Sequence, residues 1–267
     1  MKDFAFHRPA TVQDAVALLR EHDGGKFLAG GQSLLPVLKL ELAEPSDLVS
    51  LAQLKELRDI RLDGDKLLIG ALATHDQVHR SPEVGKAIPA LATLAGGIGD
   101  AQVRNRGTLG GSVAHADPAA DYPAALIGLG ATVITDRRQI AAENFFTGLF
   151  ATALAHDELI TAVAFPVPRR AAYVKFAHRA SKYALVGVFI AETAGGIRLA
   201  ITGAGVKVFR VASFEAALGK KLAPEALDGL TVPSSDLNGD AEASAEYRAH
   251  LIGVIARRAV VALTGKP

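Results

Sequence analysis

The sequence predicts an α+β protein of two domains, and three observations support this fold class. A chain of 267 residues with a hydrophobic fraction of 49% is long enough to bury two compact cores. Segments with helical spacing and short apolar strands are mixed along the first part of the chain. After Pro166, Pro168 and Arg169-Arg170, which form the best candidate boundary, the predicted strands follow one another as in an antiparallel sheet.

The N-terminal part is expected to contain a helix followed by a strand. Thr11 is a suitable N-cap, Asp14 stands three residues later, and apolar residues recur at helical spacing as far as Glu21. Lys26 to Ala29 has the pattern of a short buried strand that runs directly into Gly30-Gly31. Because this strand enters a glycine loop rather than a surface turn, the junction is the first candidate binding site.

Further local signals predict the remaining elements. Asp63-Gly64-Asp65 lies between two apolar runs and predicts a β-hairpin, and Thr74 with Gln77 forms a capping box at the start of a short helix. Before the boundary we also expect helices over Glu83 to Ala95 and Tyr122 to Leu129, and strands over Ala131 to Thr135 and Leu159 to Phe165. After it we expect strands over Tyr173 to Phe176, Ala184 to Glu192 and Ile197 to Thr202, and helices over Phe214 to Leu218 and Ala245 to Leu263.

Charge and cysteine content exclude several classes of protein. Lysine plus arginine balance aspartate plus glutamate at 29 against 28, so a nucleic-acid groove is not expected. Because the sequence has no cysteine, it contains no disulfide, no thiolate zinc site and no cysteine-ligated iron–sulfur cluster. No metal site is expected from the scattered His75, His79, His115, His156, His178 and His250. We expect a cytoplasmic protein without a transmembrane segment, since the N-terminus lacks an apolar signal region and no apolar stretch is long enough to span a bilayer.

The first motif is AGGQSLLP, which spans Ala29 to Pro36. Successive glycines allow consecutive backbone N–H groups to point into one concavity, which can bind the oxygens of a pyrophosphate without positive side chains. The hydroxyl of Ser33 is a further candidate donor. The motif matches neither a dinucleotide-binding GxGxxG sequence nor a P-loop, and taken alone it is explained equally well by an ordinary tight turn.

The second motif lies between Gln102 and Leu126 and contains a glycine loop over Gly107 to Gly111. It adds the hydroxyls of Thr108 and Ser112 and two carboxylates, Asp117 and Asp121. Loop amides suit a diphosphate, whereas carboxylates suit sugar or ribityl hydroxyls, so the two motifs together indicate a long dinucleotide between two subdomains. The alternative is that Asp117-Pro118 is a turn and that Asp121 caps a helix.

Four segments together resemble the FAD-binding medium subunits of molybdenum hydroxylases, the group that includes xanthine dehydrogenase and carbon monoxide dehydrogenase. They are AGGQSLLP, QVRNRGTLGGSVAHADPAAD, FFTGLFATALAHDELI and AYVKFAHRASKYALVGV, and they occur in the family's order over nearly the whole chain. The resemblance implies a PCMH-type, vanillyl-alcohol-oxidase-like FAD-binding fold over residues 1–168, with subdomains of about 1–55 and 56–168. A small C-terminal domain with an antiparallel sheet and helices would follow over residues 169–267.

The resemblance also assigns binding roles, with FAD held noncovalently. It gives the FAD pyrophosphate to the backbone of two segments: Ala29, Gly30, Gly31, Gln32, Ser33 and Leu34, and Thr108 to Ser112, including Gly110 and Gly111. Asp121 would bind the ribityl chain or a neighbouring hydroxyl, and Leu159 would contact the adenine side, whereas Asp117 remains a candidate only through the chemistry of its carboxylate. Lys175 would reach the flavin ring, where a cation favours the reduced anion, and Tyr183 would lie near the isoalloxazine. A lone tyrosine in a strand is, however, more often a core residue.

The function implied by the resemblance is electron transfer inside a larger oxidoreductase, with no catalytic residue for substrate oxidation in this chain. The molybdenum pterin and the 2Fe–2S clusters are expected only on partners, a large molybdenum-pterin subunit and a small iron–sulfur subunit, in a dimer of heterotrimers. The absence of cysteine agrees with this arrangement. Two alternatives are a self-contained flavin oxidase of the vanillyl-alcohol-oxidase type and a scaffold subunit that has lost flavin.

Overall fold

The computed structural model describes residues 2–265, and its strands and helices are numbered along the chain. The strands are β1 (Ala5–His7), β2 (Lys26–Leu28), β3 (Asp47–Ser50), β4 (Ile60–Asp63), β5 (Lys66–Gly70), β6 (Thr132–Thr135), β7 (Gln139–Ala141), β8 (Phe146–Gly148), β9 (Ala151–Thr152), β10 (Ile160–Pro166), β11 (Arg170–Ala177), β12 (Ala184–Thr193), β13 (Gly196–Thr202) and β14 (Phe209–Arg210). The α-helices are α1 (Val12–Glu21), α2 (Leu34–Lys39), α3 (His75–Arg80), α4 (Pro82–Ala87), α5 (Pro89–Gly96), α6 (Ala101–Arg106), α7 (Leu109–His115), α8 (Tyr122–Leu129), α9 (Ala142–Phe145), α10 (Ala212–Lys220) and α11 (Ala245–Thr264). Short 3-10 helices span Lys55–Arg58, Pro224–Leu227 and Ser234–Asp236.

The N-terminal sheet is parallel, with β3 between β1 and β2. Helix α1 buries Ala15, Val16 and Leu19, and Thr11 caps it by accepting a hydrogen bond from the amide of Asp14, as predicted. The strand predicted at Lys26 to Ala29 is present as β2, but the expectation that it is buried was wrong. β2 is an edge strand of the sheet, and its residues are exposed or only partly buried.

The middle of the chain forms an antiparallel sheet in the order β4-β5-β10-β6-β7. The predicted hairpin is confirmed as β4 and β5, and the capping box at Thr74 and Gln77 is confirmed at α3. The single helix predicted over Glu83 to Ala95 was wrong, because Pro89 cannot continue the hydrogen-bonding ladder of α4. Pro89 starts α5 instead, and Ile88 lies between the two helices in a non-helical conformation.

The C-terminal antiparallel sheet has the order β11-β12-β13-β14 and is covered on both faces. Phe214, Ile252 and Ile255 from α10 and α11 pack against one face of β12 and β13, in one hydrophobic cluster. Every residue of α8 is buried, and Phe189 and Ala200 of the sheet share a second cluster with it. The sheet is therefore attached to the preceding part of the chain through α8. Among the described residues, no helix is long and apolar enough to cross a bilayer.

Candidate functional site

A cavity of about 620 Å³ opens between the N-terminal sheet, α7 and the turn before β12. This volume is in the ordinary range of small-molecule and cofactor sites, about 300–1,000 Å³. The cavity brings together residues from every predicted binding segment, namely Ala29, Gly30, Gly31, Gln32, Ser33, Leu34, Thr108, Gly110, Gly111, Ser112, Asp117, Asp121, Leu159 and Tyr183. Lys175 is the one predicted site residue that is not part of the described cavity wall.

The first motif offers a row of free backbone donors. Gly30, Gly31, Gln32 and Ser33 connect the end of β2 to the start of α2, and within residues 2–265 their amide N–H groups donate to no protein acceptor. Buried or half-buried backbone amides normally have a partner, so successive free amides along a cavity wall are typical of an anion-binding loop. This geometry fits the pyrophosphate of a dinucleotide and does not require a positive side chain.

Gly30 is required by a contact within the protein itself. A Cβ atom at this position would lie 2.1 Å from the carbonyl oxygen of Arg106 and 2.8 Å from the Cα of Gly107. The backbones of the two motifs are therefore in direct contact at one side of the cavity. Only glycine permits this approach, so a larger residue at position 30 would separate the segments whether or not a cofactor is present.

The second motif differs from the predicted glycine loop. Thr108 is the N-cap of α7, and Leu109, Gly110 and Gly111 belong to the first turn of that helix. Their amides already have acceptors: Leu109 donates to the Ala73 carbonyl at 3.0 Å, Gly110 to the Ala71 carbonyl at 2.8 Å, and Gly111 to the Thr108 hydroxyl at 3.1 Å. The expectation of free amides here was wrong, because the segment uses them to pack against the residues after β5.

What α7 presents to the cavity is hydroxyl groups. Thr108 accepts the Gly111 amide, which leaves its O–H free to donate, and Ser112 lines the cavity with no hydrogen bond to its hydroxyl within the described chain. A hydroxyl can donate one hydrogen bond to a phosphate oxygen. The two motifs therefore contribute different chemistry to the same cavity.

The two carboxylates also differ. Asp117 Oδ1 accepts a hydrogen bond from the amide of Ala119 at 2.8 Å, so the alternative interpretation of Asp117-Pro118 as a turn is confirmed. Asp121 precedes α8 but makes no side-chain cap. It is 4% exposed and is held by the hydroxyl of Tyr173 and by the ammonium of Lys175 at 3.0 Å. Burial raises the pKa of the Asp121 carboxyl, although Lys175 and Tyr173 oppose that effect.

The ammonium of Lys175 forms hydrogen bonds with three separate parts of the chain. Besides Asp121, its ammonium donates to the Gly97 carbonyl after α5 at 2.9 Å and to the Lys182 carbonyl at 2.8 Å. An ammonium has three donors, and all three are used. The side chain of Lys175 therefore does not reach the cavity; instead it fixes the turn that carries Tyr183, which is 40% exposed at the cavity wall.

The sequence analysis assigned His75 no binding role, because the scattered histidines do not have metal-ligand spacing. His75 starts α3, is 4% exposed and lines the cavity, with its ring 5.4 Å from that of Tyr122. Its Nδ1 is buried and has no hydrogen-bond partner. Burial, with a contribution from the charge of Arg104, lowers the pKa of His75 to about 4, so the ring is neutral at pH 7. The only sequence signal near His75 was the capping box that begins at Thr74, which placed this histidine in the first turn of a helix.

Glu158 was also missed, although it precedes the predicted contact Leu159. Glu158 is part of the cavity wall, and its fully buried carboxylate accepts hydrogen bonds from Thr135 and Arg138 at 2.8 Å and from the Ala155 amide at 3.0 Å. These bonds, led by the one from Arg138, lower the pKa of Glu158 to about 2. The ion pair fixes the loop that forms this end of the cavity.

We predict that His75 makes the protein sensitive to mild acid. Between pH 6.5 and pH 4 the unfolded chain takes up a proton at this histidine while the folded chain does not, so stability falls as the pH falls through this window. The difference is about 3 kcal/mol at full effect. Urea unfolding of His75→Asn should show a shallower pH dependence than the wild-type chain, whereas exposed His250→Asn should leave the slope unchanged. Equal slopes for wild type and His75→Asn would contradict this assignment.

We predict that Lys175→Met destabilises the fold by about 3–5 kcal/mol, because it leaves Asp121 buried without a compensating charge. The exposed neighbour Lys182→Met is the matched control and should change the free energy of unfolding little. Adding Asp121→Asn to Lys175→Met should recover part of the lost stability, measured by urea unfolding. If Lys175→Met were as stable as the control and changed only the redox potential of a bound flavin, the ring-tuning interpretation would be correct instead.

Comparisons with known proteins agree with the cavity geometry. Residues 2–168 match the model of the family described as FAD binding domain in molybdopterin dehydrogenase. The chain is 38% identical to the nicotine 6-hydroxylase medium subunit of Paenarthrobacter nicotinovorans, over 95% of this chain and 94% of that protein. It is 34% identical to the carbon monoxide dehydrogenase medium chain of Hydrogenophaga pseudoflava, over 96% of each.

The fold agrees as well. A solved structure of carbon monoxide dehydrogenase from Hydrogenophaga pseudoflava, in a form that lacks the Mo-pyranopterin moiety of the molybdenum cofactor, superposes with a TM-score of 0.90. The sequence identity is 33%, and the match covers 99% of this chain and 98% of that one. The free amides, the hydroxyls and the cavity volume are all suited to FAD. The chain therefore belongs to the family of FAD-binding domains of molybdopterin dehydrogenases.

Proposed function

We propose that this chain is the FAD-binding electron-transfer subunit of a molybdenum-containing hydroxylase or dehydrogenase. Its task is to hold FAD noncovalently on the path between the iron–sulfur clusters of a partner subunit and an external acceptor. The row of four free amides along the cavity carries the proposal, because successive free amides suit a diphosphate and the chain belongs to a family of FAD-binding domains. When bound, FAD supplies the capacity to accept and release electrons.

The binding roles follow from the side chains and amides around the cavity. We assign the pyrophosphate to the amides between Gly30 and Leu34 and to the hydroxyls of Thr108 and Ser112. The carboxylate of Asp121, which is positioned by hydrogen bonds from Lys175 and Tyr173, would accept a hydrogen bond from the ribityl chain or a neighbouring hydroxyl. The remaining predicted contacts keep their assignments, with Asp117 as a candidate carboxylate, Leu159 at the adenine side and Tyr183 at the flavin ring. Lys175 has a positioning role in this scheme.

The PCMH-type fold and its division into subdomains of about 1–55 and 56–168, followed by a C-terminal domain over 169–267, are also proposed. Three groups of buried apolar residues correspond in part to this division, although the second group extends into the C-terminal sheet through Phe189 and Ala200. One includes Ala15 and Val49, the second includes Leu67 and Phe145, and the third includes Val188 and Ile255. Each proposed unit thus has apolar residues to bury.

Partner subunits are expected because the relatives are called medium subunits and medium chains. The chain contains no cysteine, so thiolate-ligated clusters must come from another polypeptide. We propose a small iron–sulfur subunit and a large molybdenum-pterin subunit, assembled as a dimer of heterotrimers in the cytoplasm. A self-contained oxidase of the vanillyl-alcohol-oxidase type is disfavoured, because the relatives are subunits of multi-subunit enzymes.

The proposal is tested by purifying the chain alone and together with the products of neighbouring genes. The chain alone should contain FAD, release it into the supernatant on acid denaturation, and oxidise no organic substrate of the complex. The co-purified complex should contain molybdenum and iron in addition and should reduce its flavin when substrate is added. Flavin that stays with the denatured polypeptide, or substrate oxidation by the chain alone, would support a self-contained oxidase and refute the proposal.

A further inference from the structure

A second group of functional side chains lies beside the N-terminal sheet. His7 ends β1, His22 follows α1, and Asp47 begins β3. A ring nitrogen of each histidine and a carboxylate oxygen of Asp47 all lie within 4.8 Å of one another. His7 Nε2 is 2.7 Å from Asp47 Oδ1, and His22 Nδ1 is 3.7 Å from Asp47 Oδ2. The sequence did not indicate this cluster, because its three residues come from separate elements without metal-ligand spacing.

Asp47 is unusual among the buried carboxylates in its charge environment. Its side chain is 7% exposed, and within the described chain its ion-pair partners are the two imidazoles alone. By contrast, Asp121 is paired with Lys175 and Glu158 with Arg138. The Asp47 carboxylate is therefore paired with no lysine or arginine side chain within the described residues.

The two histidines are suited to act as neutral ligands. Their rings are stacked, with centroids 5.6 Å apart and an interplanar angle of 26°. Each ring places a nitrogen beside the Asp47 carboxylate. A divalent metal ion bound by both rings would compensate the charge of Asp47.

The donor set of two imidazole nitrogens and one carboxylate oxygen matches zinc, with a fourth position for water. Zinc bonds of about 2.0–2.1 Å place tetrahedral ligands roughly 3.3 Å apart, and the three donor atoms of the cluster already lie within 4.8 Å of one another. Small side-chain movements are therefore enough. The exposed fractions of His7 and His22, 25% and 40%, provide both this freedom and an entry path. Ser46 Oγ donates to Asp47 Oδ2 at 2.7 Å and orients the carboxylate.

We propose that His7, His22 and Asp47 bind one divalent transition-metal ion, of which zinc fits the donor set best. The bound ion would join β1 to the end of α1 and the start of β3. It would be lost in acid, because protons compete for the imidazoles. This site is separate from the proposed FAD cavity, whose wall includes none of the three residues.

The test uses the full chain without an affinity tag, treated with a chelator and titrated with zinc by calorimetry at pH 7.5. We expect one zinc ion per chain and a higher melting temperature with zinc. His22→Gln removes a ligand and should lower the affinity by more than about 100-fold, whereas Ser46→Ala should lower it by about 10–100-fold, the usual effect of losing an outer-shell partner. His250→Gln, on the exposed face of α11, should bind as the wild type does.

A second measurement excludes loss of folding as the cause. His22 is the most exposed of the three ligands, so His22→Gln should keep the wild-type circular dichroism spectrum and bound FAD while losing zinc. Cobalt in place of zinc should give the visible absorption bands of a tetrahedral site in the wild type and not in His22→Gln. Absence of stoichiometric zinc binding by the wild type would overturn the proposal, as would equal affinity in His22→Gln, and the cluster would then be a hydrogen-bonded network only.

Discussion

The candidate site depends on a backbone contact between Gly30 and the segment Arg106-Gly107. The two segments are far apart in the sequence, and a single Cβ atom at Gly30 would collide with the Arg106 carbonyl. Because the segments touch, the free amides after β2 and the hydroxyls at the start of α7 face the same cavity. Without this approach the chain would have two unrelated glycine-rich segments rather than one binding site.

On the other side of the cavity, a buried ion pair has the corresponding role. Lys175, in the C-terminal sheet, binds Asp121 before α8, the carbonyl after α5 and the carbonyl of Lys182. Burying two charges is costly, and breaking such a pair costs more than the pair itself contributes. The pair is therefore better understood as a device that fixes the relative position of α8, α5 and the Tyr183 turn than as a source of net stability.

Local signals in the sequence predicted much of the fold. The cap at Thr11, the capping box at Thr74 and Gln77, and the hairpin at Asp63-Gly64-Asp65 each depend on residues within a few positions, so they could be recognised from the sequence. The helix over Glu83 to Ala95 was predicted wrongly because the apolar spacing was given more weight than Pro89, whose ring prevents continuation of the helix.

The sequence predicted which residues form the candidate site, but it did not predict which of their polar groups are already hydrogen-bonded within the protein. Both glycine motifs indicated free amides, yet the amides of Gly110 and Gly111 are bonded within the protein. Whether an amide is free depends on which distant backbone lies opposite, and a single sequence does not contain that information. For the same reason the sequence did not show that the ammonium of Lys175 is hydrogen-bonded to three other segments. It also did not show that His75 is buried next to Tyr122.

We propose that the amides from Gly30 to Ser33 bind the cofactor, while those of α7 hold the protein together. This difference can be measured by amide hydrogen exchange at single-residue resolution, followed by NMR with and without FAD. Exchange at Gly30, Gly31, Gln32 and Ser33 should slow strongly when FAD is added, whereas Gly110, already bonded to Ala71, should be protected in both states. Unchanged exchange at the first four amides in the FAD-loaded chain would contradict this proposal.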